Sequence, residues 1–136
     1  EKMANAVADG LASESISVKL LNMRYNHRSD VMTEAMDAGA ILFGSATLNN
    51  GILPRIGDML TYMKGLRPTG RIGGVFGSYG WGGEAVKILE GYMEEMKINL
   101  VEPGIKVNYI PGKEDLDRCF QLGVNVAKSL KDKGQQ

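Results

Sequence analysis

Met3, Val7 and Leu11 fall at near-helical spacing and predict a helix over 1–14. From Ile16 the period changes. Ile16, Val18 and Leu20 alternate with polar residues, which predicts a strand over 16–23. Ser29 and Asp30 offer a capped start to a short helix ending near Asp37. The apolar run Ala40-Ile41-Leu42-Phe43 reads as a buried strand, and a helix is predicted over 53–66. Pro54 suits its first turn, where the amides are unpaired in any case. A turn over 67–70, with Pro68 and Gly70, leads into a strand over 71–76. An amphipathic helix over 84–97 follows, with Val86, Leu89, Tyr92, Met93 and Met96 on one face. Strands are predicted over 98–101 and 105–110, separated by a turn or bulge at Pro103-Gly104. Pro111-Gly112 closes the second of them. The last helix spans 114–131, and 133–136 reads as a frayed tail.

Helices and strands therefore alternate along the whole chain, which argues for an α/β fold: a doubly wound parallel sheet with helices on both faces. In such sheets ligands bind beyond the carboxyl ends of the strands. The chain opens inside a helix with no strand before it. In the sheet order 2-1-3-4-5 the strand at Ile16 would then lack its neighbour, and its backbone groups would be left unpaired. The expectation is that the first strand, of about 5–6 residues, and a short loop are cut from the N-terminus of this sequence.

Two strand-to-helix loops carry the candidate chemistry. Gly44-Ser45-Ala46-Thr47-Leu48-Asn49-Asn50 offers hydroxyls, side-chain amides and backbone amides, which suit the polar edge of a heterocycle or a phosphoryl group. The same composition suits an ordinary turn. Gly77-Ser78-Tyr79-Gly80-Trp81-Gly82-Gly83 places two aromatic rings, one of them the only Trp, among glycines that let a ligand approach the backbone. A flat ring can stack on such aromatics; alternatively, Trp81 covers the end of the sheet.

Gly44 to Asn50 followed by Ile52-Leu53-Pro54 resembles the second flavin-binding loop of the A-type flavoproteins, the flavodiiron family. Phe76-Gly77-Ser78-Tyr79-Gly80-Trp81-Gly82-Gly83 resembles the third loop of that family, and is the most specific part of a likeness covering nearly the whole chain. The segments 24–30 and 114–123 are also similar to it. Ala46 stands where many members have proline. The resemblance implies a flavodoxin-like, FMN-binding domain. It implies that Ser45, Ala46, Thr47, Leu48, Asn49 and Asn50 hold the isoalloxazine and ribityl edge. Ser78, Tyr79, Gly80, Trp81, Gly82 and Gly83 would line the pyrimidine side. The phosphate-gripping first loop of the family would lie before Glu1. Members join this domain to an N-terminal metallo-β-lactamase-like domain with a di-iron centre, which reduces oxygen or nitric oxide. A rubredoxin or a reduced flavin-type carrier as donor, and head-to-tail homo-oligomers, are implied in the same way. A stand-alone flavodoxin or quinone-reductase-type flavoprotein is the alternative. A receiver-type domain and a flavin-free structural domain are further ones.

Composition narrows the partners. Lys plus Arg and Asp plus Glu both number 16, so no net field steers the chain toward nucleic acid or an anionic membrane. No apolar run reaches the length of a membrane span. The single cysteine, Cys119, reads as a core thiol and fits a reducing compartment, so the expected location is the cytoplasm. One histidine, His27, does not make an iron site, and no metal is expected in this chain. Met59, Met63, Met93 and Met96 read as core filler or partner surface, and Lys64, Arg67 and Arg71 as a solvated edge.

Overall fold

A computed structural model describes residues 2–47, 51–66, 70–80, 84–108 and 110–134. In chain order it forms α1 (Lys2–Ser13), α2 (Arg28–Asp37), β1 (Ala40–Ala46), α3 (Pro54–Leu66), β2 (Ile72–Tyr79), α4 (Glu84–Glu95), β3 (Asn99–Leu100), β4 (Ile105–Asn108) and α5 (Lys113–Gly134). Among the described residues β1, β2, β3 and β4 pair in parallel. β1 runs beside β2 from Ala40↔Ile72 to Ala46↔Ser78. The other edge of β2 takes β3 at Ile72 and Gly73, and β4 from Phe76 to Tyr79.

Alternation along the strands sends their side chains to two cores. Ile41, Phe43 and Val75 join Met32 and Ala35 of α2, Met59, Leu60 and Met63 of α3, and Val86, Leu89 and Met93 of α4. Ala40, Leu42, Ile72 and Phe76 face the other way. They meet Met3, Val7 and Leu11 of α1 and Cys119, Leu122 and Val126 of α5. The expected sheet with helices on both faces is thus present, and burial on both faces explains why 40–43 is continuously apolar.

Two helices end by the same device. Ile16 N–H donates to Leu11 O at 3.3 Å and Ser15 N–H to Ala12 O at 3.0 Å, with Ser15 at φ 63°. Ile98 N–H donates to Met93 O at 2.9 Å and Lys97 N–H to Glu94 O at 3.0 Å, with Lys97 at φ 57°. Both turns satisfy the last helical carbonyls through one left-handed residue.

Three expectations are corrected. Residues 16–23 are not a strand; among the described residues they pair with none, although Ile16 and Val18 pack on the core between α1 and α5. Alternation selects a face, but a strand also needs a hydrogen-bonded neighbour. α2 is capped by His27 rather than by Ser29: His27 Nδ1 accepts from Ser29 N–H at 3.1 Å. Finally, β1 and β2 both run three residues beyond their expected ends at Phe43 and Phe76. Gly44 and Gly77 are strand residues here. A Cβ on Gly44 would lie 2.1 Å from the Phe76 ring, and one on Gly77 would lie 2.5 Å from Ser45 O.

The Pro103-Gly104 interruption is a bulge in one edge strand. Residues 101–104 stand opposite 74–75, so two residues are extra. Gly104 N–H donates to Glu90 Oε2 of α4 at 3.1 Å.

Candidate functional site at the carboxyl ends of β1 and β2

The described starts of the two loops, 44–47 and 77–80, lie side by side, as their positions on neighbouring parallel strands require. Ala46 and Ser78 are register partners at the strand ends. Thr47 carries the pairing one step further, donating its N–H to Ser78 O at 2.9 Å. Its Oγ1 accepts from Ala85 N–H, in the first turn of α4, at 3.2 Å. Thr47 therefore ties the end of β1 to the end of β2 and to the start of α4. A hydroxyl has one proton and two acceptor lone pairs. Among the described residues Thr47 uses an acceptor pair only, and its proton has no acceptor there.

Ser45 is placed differently. It is buried, its Oγ donates to Ala46 O at 2.8 Å, and it accepts from Leu53 N–H at 3.0 Å. Its proton is committed within the fold, and its task is to lock the chain entering α3 onto the end of β1. Ala46, Ser78 and Tyr79 are half-buried at the same edge, and Gly80 is exposed. Leu48, Asn49, Asn50, Trp81, Gly82 and Gly83 lie outside the described residues.

One residue escaped the sequence reading. Glu84 opens α4, and its Oε2 is buried with no hydrogen-bond partner among the described residues. Its sequence signal was slight: an acidic residue directly after a glycine-rich loop. An ionised carboxylate oxygen only accepts hydrogen bonds, so among the described residues the start of α4 carries an acceptor that no donor meets.

Two of the basic residues near the 67–71 turn have partners. Arg71 donates from Nε to Ala38 O at 3.0 Å and from a terminal nitrogen to Met36 O at 2.8 Å, holding the exit from α2. It is half-buried, more enclosed than a solvated edge. Lys64 is exposed and pairs with Glu95 at 2.6 Å; this carboxylate, hydrogen-bonded to the ammonium, raises its pKa. Arg67 lies outside the described residues. Cys119 is the core thiol expected, and burial pushes it up to about 11, so it stays protonated at neutral pH. Met59, Met63, Met93 and Met96 are all core. Among the described residues no group of three or more His, Cys, Asp or Glu side chains can hold a metal, and no helix is long and apolar enough to cross a membrane.

Residues 1–123 match the family model for flavodoxin. The chain is 47% identical to the nitric oxide reductase of Moorella thermoacetica, over 97% of this chain and 33% of that relative. Among solved structures, the rubredoxin oxygen:oxidoreductase from Desulfovibrio gigas superposes with a TM-score of 0.95 at 40% identity, over 97% of this chain and 33% of that one. The flavodiiron protein from Giardia intestinalis gives 0.91 at 30% identity, over 96% and 33%. The chain thus spans about a third of the length of the curated relatives it matches. With a parallel sheet wrapped on both faces, ligand-type loops at its carboxyl edge and this match along nearly its whole length, the chain belongs to the flavodoxin family, in the form that flavodiiron proteins carry.

Proposed function

We propose that this chain is the FMN-binding electron-transfer unit of a flavodiiron oxidoreductase. FMN is the cofactor that the flavodoxin family implies, and the described residues fit it. The uncommitted Thr47 proton and the orphan Glu84 oxygen suit a ring whose polar edge both accepts and donates. The half-buried Tyr79 ring suits stacking, and exposed Gly80 allows close approach of the backbone. Bound there, FMN supplies the redox chemistry, while the protein orients it and sets its electrostatic surroundings.

In this reading Ala46, Thr47, Leu48, Asn49 and Asn50 hold one edge of the flavin. Ser78, Tyr79, Gly80, Trp81, Gly82 and Gly83 hold the other. Ser45 acts from behind, by fixing the turn into α3. The partner is a metallo-β-lactamase-like domain with a di-iron centre that reduces oxygen or nitric oxide. The donor is a rubredoxin or a reduced flavin-type carrier, the whole protein is a homo-oligomer, and its compartment is the cytoplasm. The observation that carries the reading is the likeness along nearly the whole chain to one third of an oxygen- or nitric-oxide-reducing relative.

The test is to load the purified protein with FMN, remove the excess, and mix it anaerobically with a reduced rubredoxin. Retained flavin bands that bleach on mixing are expected. Retained flavin that no carrier protein reduces overturns the electron-transfer role. A folded protein that loses its FMN on removal of the excess overturns the cofactor.

A further inference from the structure

The turn before α2, residues 22–27, is tied to the same end of the sheet as the two strand-end loops. Arg55, the second residue of α3, donates from one terminal nitrogen to Met23 O at 3.2 Å and to Arg24 O at 3.4 Å. Just before it in the chain, Leu53 N–H is held by Ser45 Oγ at the end of β1. The turn is also closed internally. Asn22 O accepts from Tyr25 N–H at 3.0 Å and from Asn26 Nδ2 at 2.7 Å, and Asn22 Oδ1 accepts from Arg24 N–H at 2.8 Å. Met23 packs against the core. Although the turn is fixed in this way, the Tyr25 ring is 77% exposed, Arg24 beside it is exposed, and so is Leu53 at the entry of α3.

The charge here is one-sided. Residues 15–29 contain Lys19, Arg24 and Arg28 and no Asp or Glu, in a chain whose charges balance overall. Lys19 pairs with Glu34 and Arg28 with Asp58. Among the described residues Arg24 and Arg55 form no ion pair. Arg55 meets two neutral carbonyls, which leave its charge uncompensated. Exposed Tyr and Arg on a fixed backbone are the residues that most often anchor protein interfaces. Uncompensated guanidinium groups beside such a ring suit a partner surface that carries carboxylates.

We propose that Arg24, Tyr25, Leu53 and Arg55 form the docking surface for an acidic electron-carrier protein that reduces the flavin. This rests on the FMN reading above. It adds to that reading the surface charge of the carrier and the side on which it docks, by α2 and α3 rather than by α4. Carboxylates of the carrier meet Arg24 and Arg55, and the Tyr25 ring covers an apolar spot between them. Each encounter passes one electron from the carrier, which is oxidised, to the cofactor, which is reduced. Two encounters complete the reduction, with protons from solvent.

The experiment is stopped-flow reduction of the FMN-loaded protein by a reduced rubredoxin of acidic isoelectric point, at low ionic strength. The proteins are the parent, Arg24→Glu, Tyr25→Ala and Lys87→Glu. Lys87 is exposed on α4, so its variant makes the same charge change on the other side. Arg24→Glu is expected to lower the second-order rate constant about tenfold and to flatten its fall with added salt. Tyr25→Ala is expected to weaken binding of the oxidised rubredoxin, measured by calorimetry, by about fivefold or more. Lys87→Glu is expected to stay within about twofold of the parent on both readouts. Reduction by dithionite, which needs no docking, is expected to be alike in all four proteins. Parent-like rate and affinity in Arg24→Glu and Tyr25→Ala overturn the proposal, as does a loss in Lys87→Glu as large as that in Arg24→Glu. A parent that retains no FMN overturns the cofactor reading instead. The calorimetric arm needs no flavin, so unchanged rubredoxin affinity in Arg24→Glu and Tyr25→Ala overturns the docking surface even then.

Discussion

The two faces of the sheet are packed by different means. On one face α1 and α5 meet backbone against backbone. A Cβ added at Gly10 would lie 2.0 Å from Phe120 O, and one at Gly123 would lie 2.1 Å from Val7 O. On the other face Met59 and Met63 of α3, Met93 of α4 and Met96 just after it fill the space, and their unbranched thioethers adapt to irregular gaps. The first face fixes a distance and leaves no room for a methyl group. The second tolerates adjustment. The ties of the candidate site to helices, Ser45 to the entry of α3 and Thr47 to α4, belong to the adaptable face. The rigid pair gives the sheet a fixed backing, and the site is built where small movements can be absorbed.

Breaking the rigid face should have the largest effect. Gly123→Ala puts a Cβ into the backbone of α1 and is expected to destabilise by about 2–3 kcal/mol, despite the roughly 1 kcal/mol that alanine gains over glycine in helix propensity. Urea unfolding measures it. A loss below about 0.5 kcal/mol would mean that α1 moves aside easily, and the contrast between the faces would fall. Thr47→Val comes next. It keeps the shape but removes the oxygen that caps α4, at about 1 kcal/mol. It should also weaken FMN binding by removing the one uncommitted side-chain proton identified at the end of β1, so melting temperature and flavin titration should fall together. Stable protein with unchanged FMN affinity would remove Thr47 from the site. The smallest effect should be Met93→Leu on the adaptable face, below about 1.5 kcal/mol, with the far-ultraviolet spectrum unchanged. A loss as large as that of Gly123→Ala would show that the methionine layer is as exacting as the glycine crossing.

Much of this was legible in the sequence. The helices were found within a few residues, because each buries a face that recurs at helical spacing. The strand pattern was less reliable. Residues 16–20 and 105–110 alternate equally well, yet only the second segment, through Ile105–Asn108, joins the sheet. Alternation reports which side chains are covered, whereas pairing depends on a neighbour elsewhere in the chain. Gly44 and Gly77 read as loop residues because glycine marks turns; here it marks the close approach of neighbouring groups inside strands. The candidate site was proposed from sequence as two loops, but without a division of labour between their hydroxyls. Ser45 and Thr47 look alike in sequence. Only the structure separates a buried hydroxyl whose proton is used within the fold from one whose proton has no acceptor among the described residues. Glu84 gave only a slight signal for a related reason, since an unsatisfied acceptor is a property of what surrounds it.

The central claim is that the carboxyl ends of β1 and β2 form an FMN site. The most direct measurement is the quenching of FMN fluorescence on titration with the protein, run beside riboflavin as a competitor for the ring subsite. The account predicts saturable quenching at one FMN per chain, reversed by excess riboflavin. Unquenched FMN in the presence of protein that is folded by circular dichroism would contradict it.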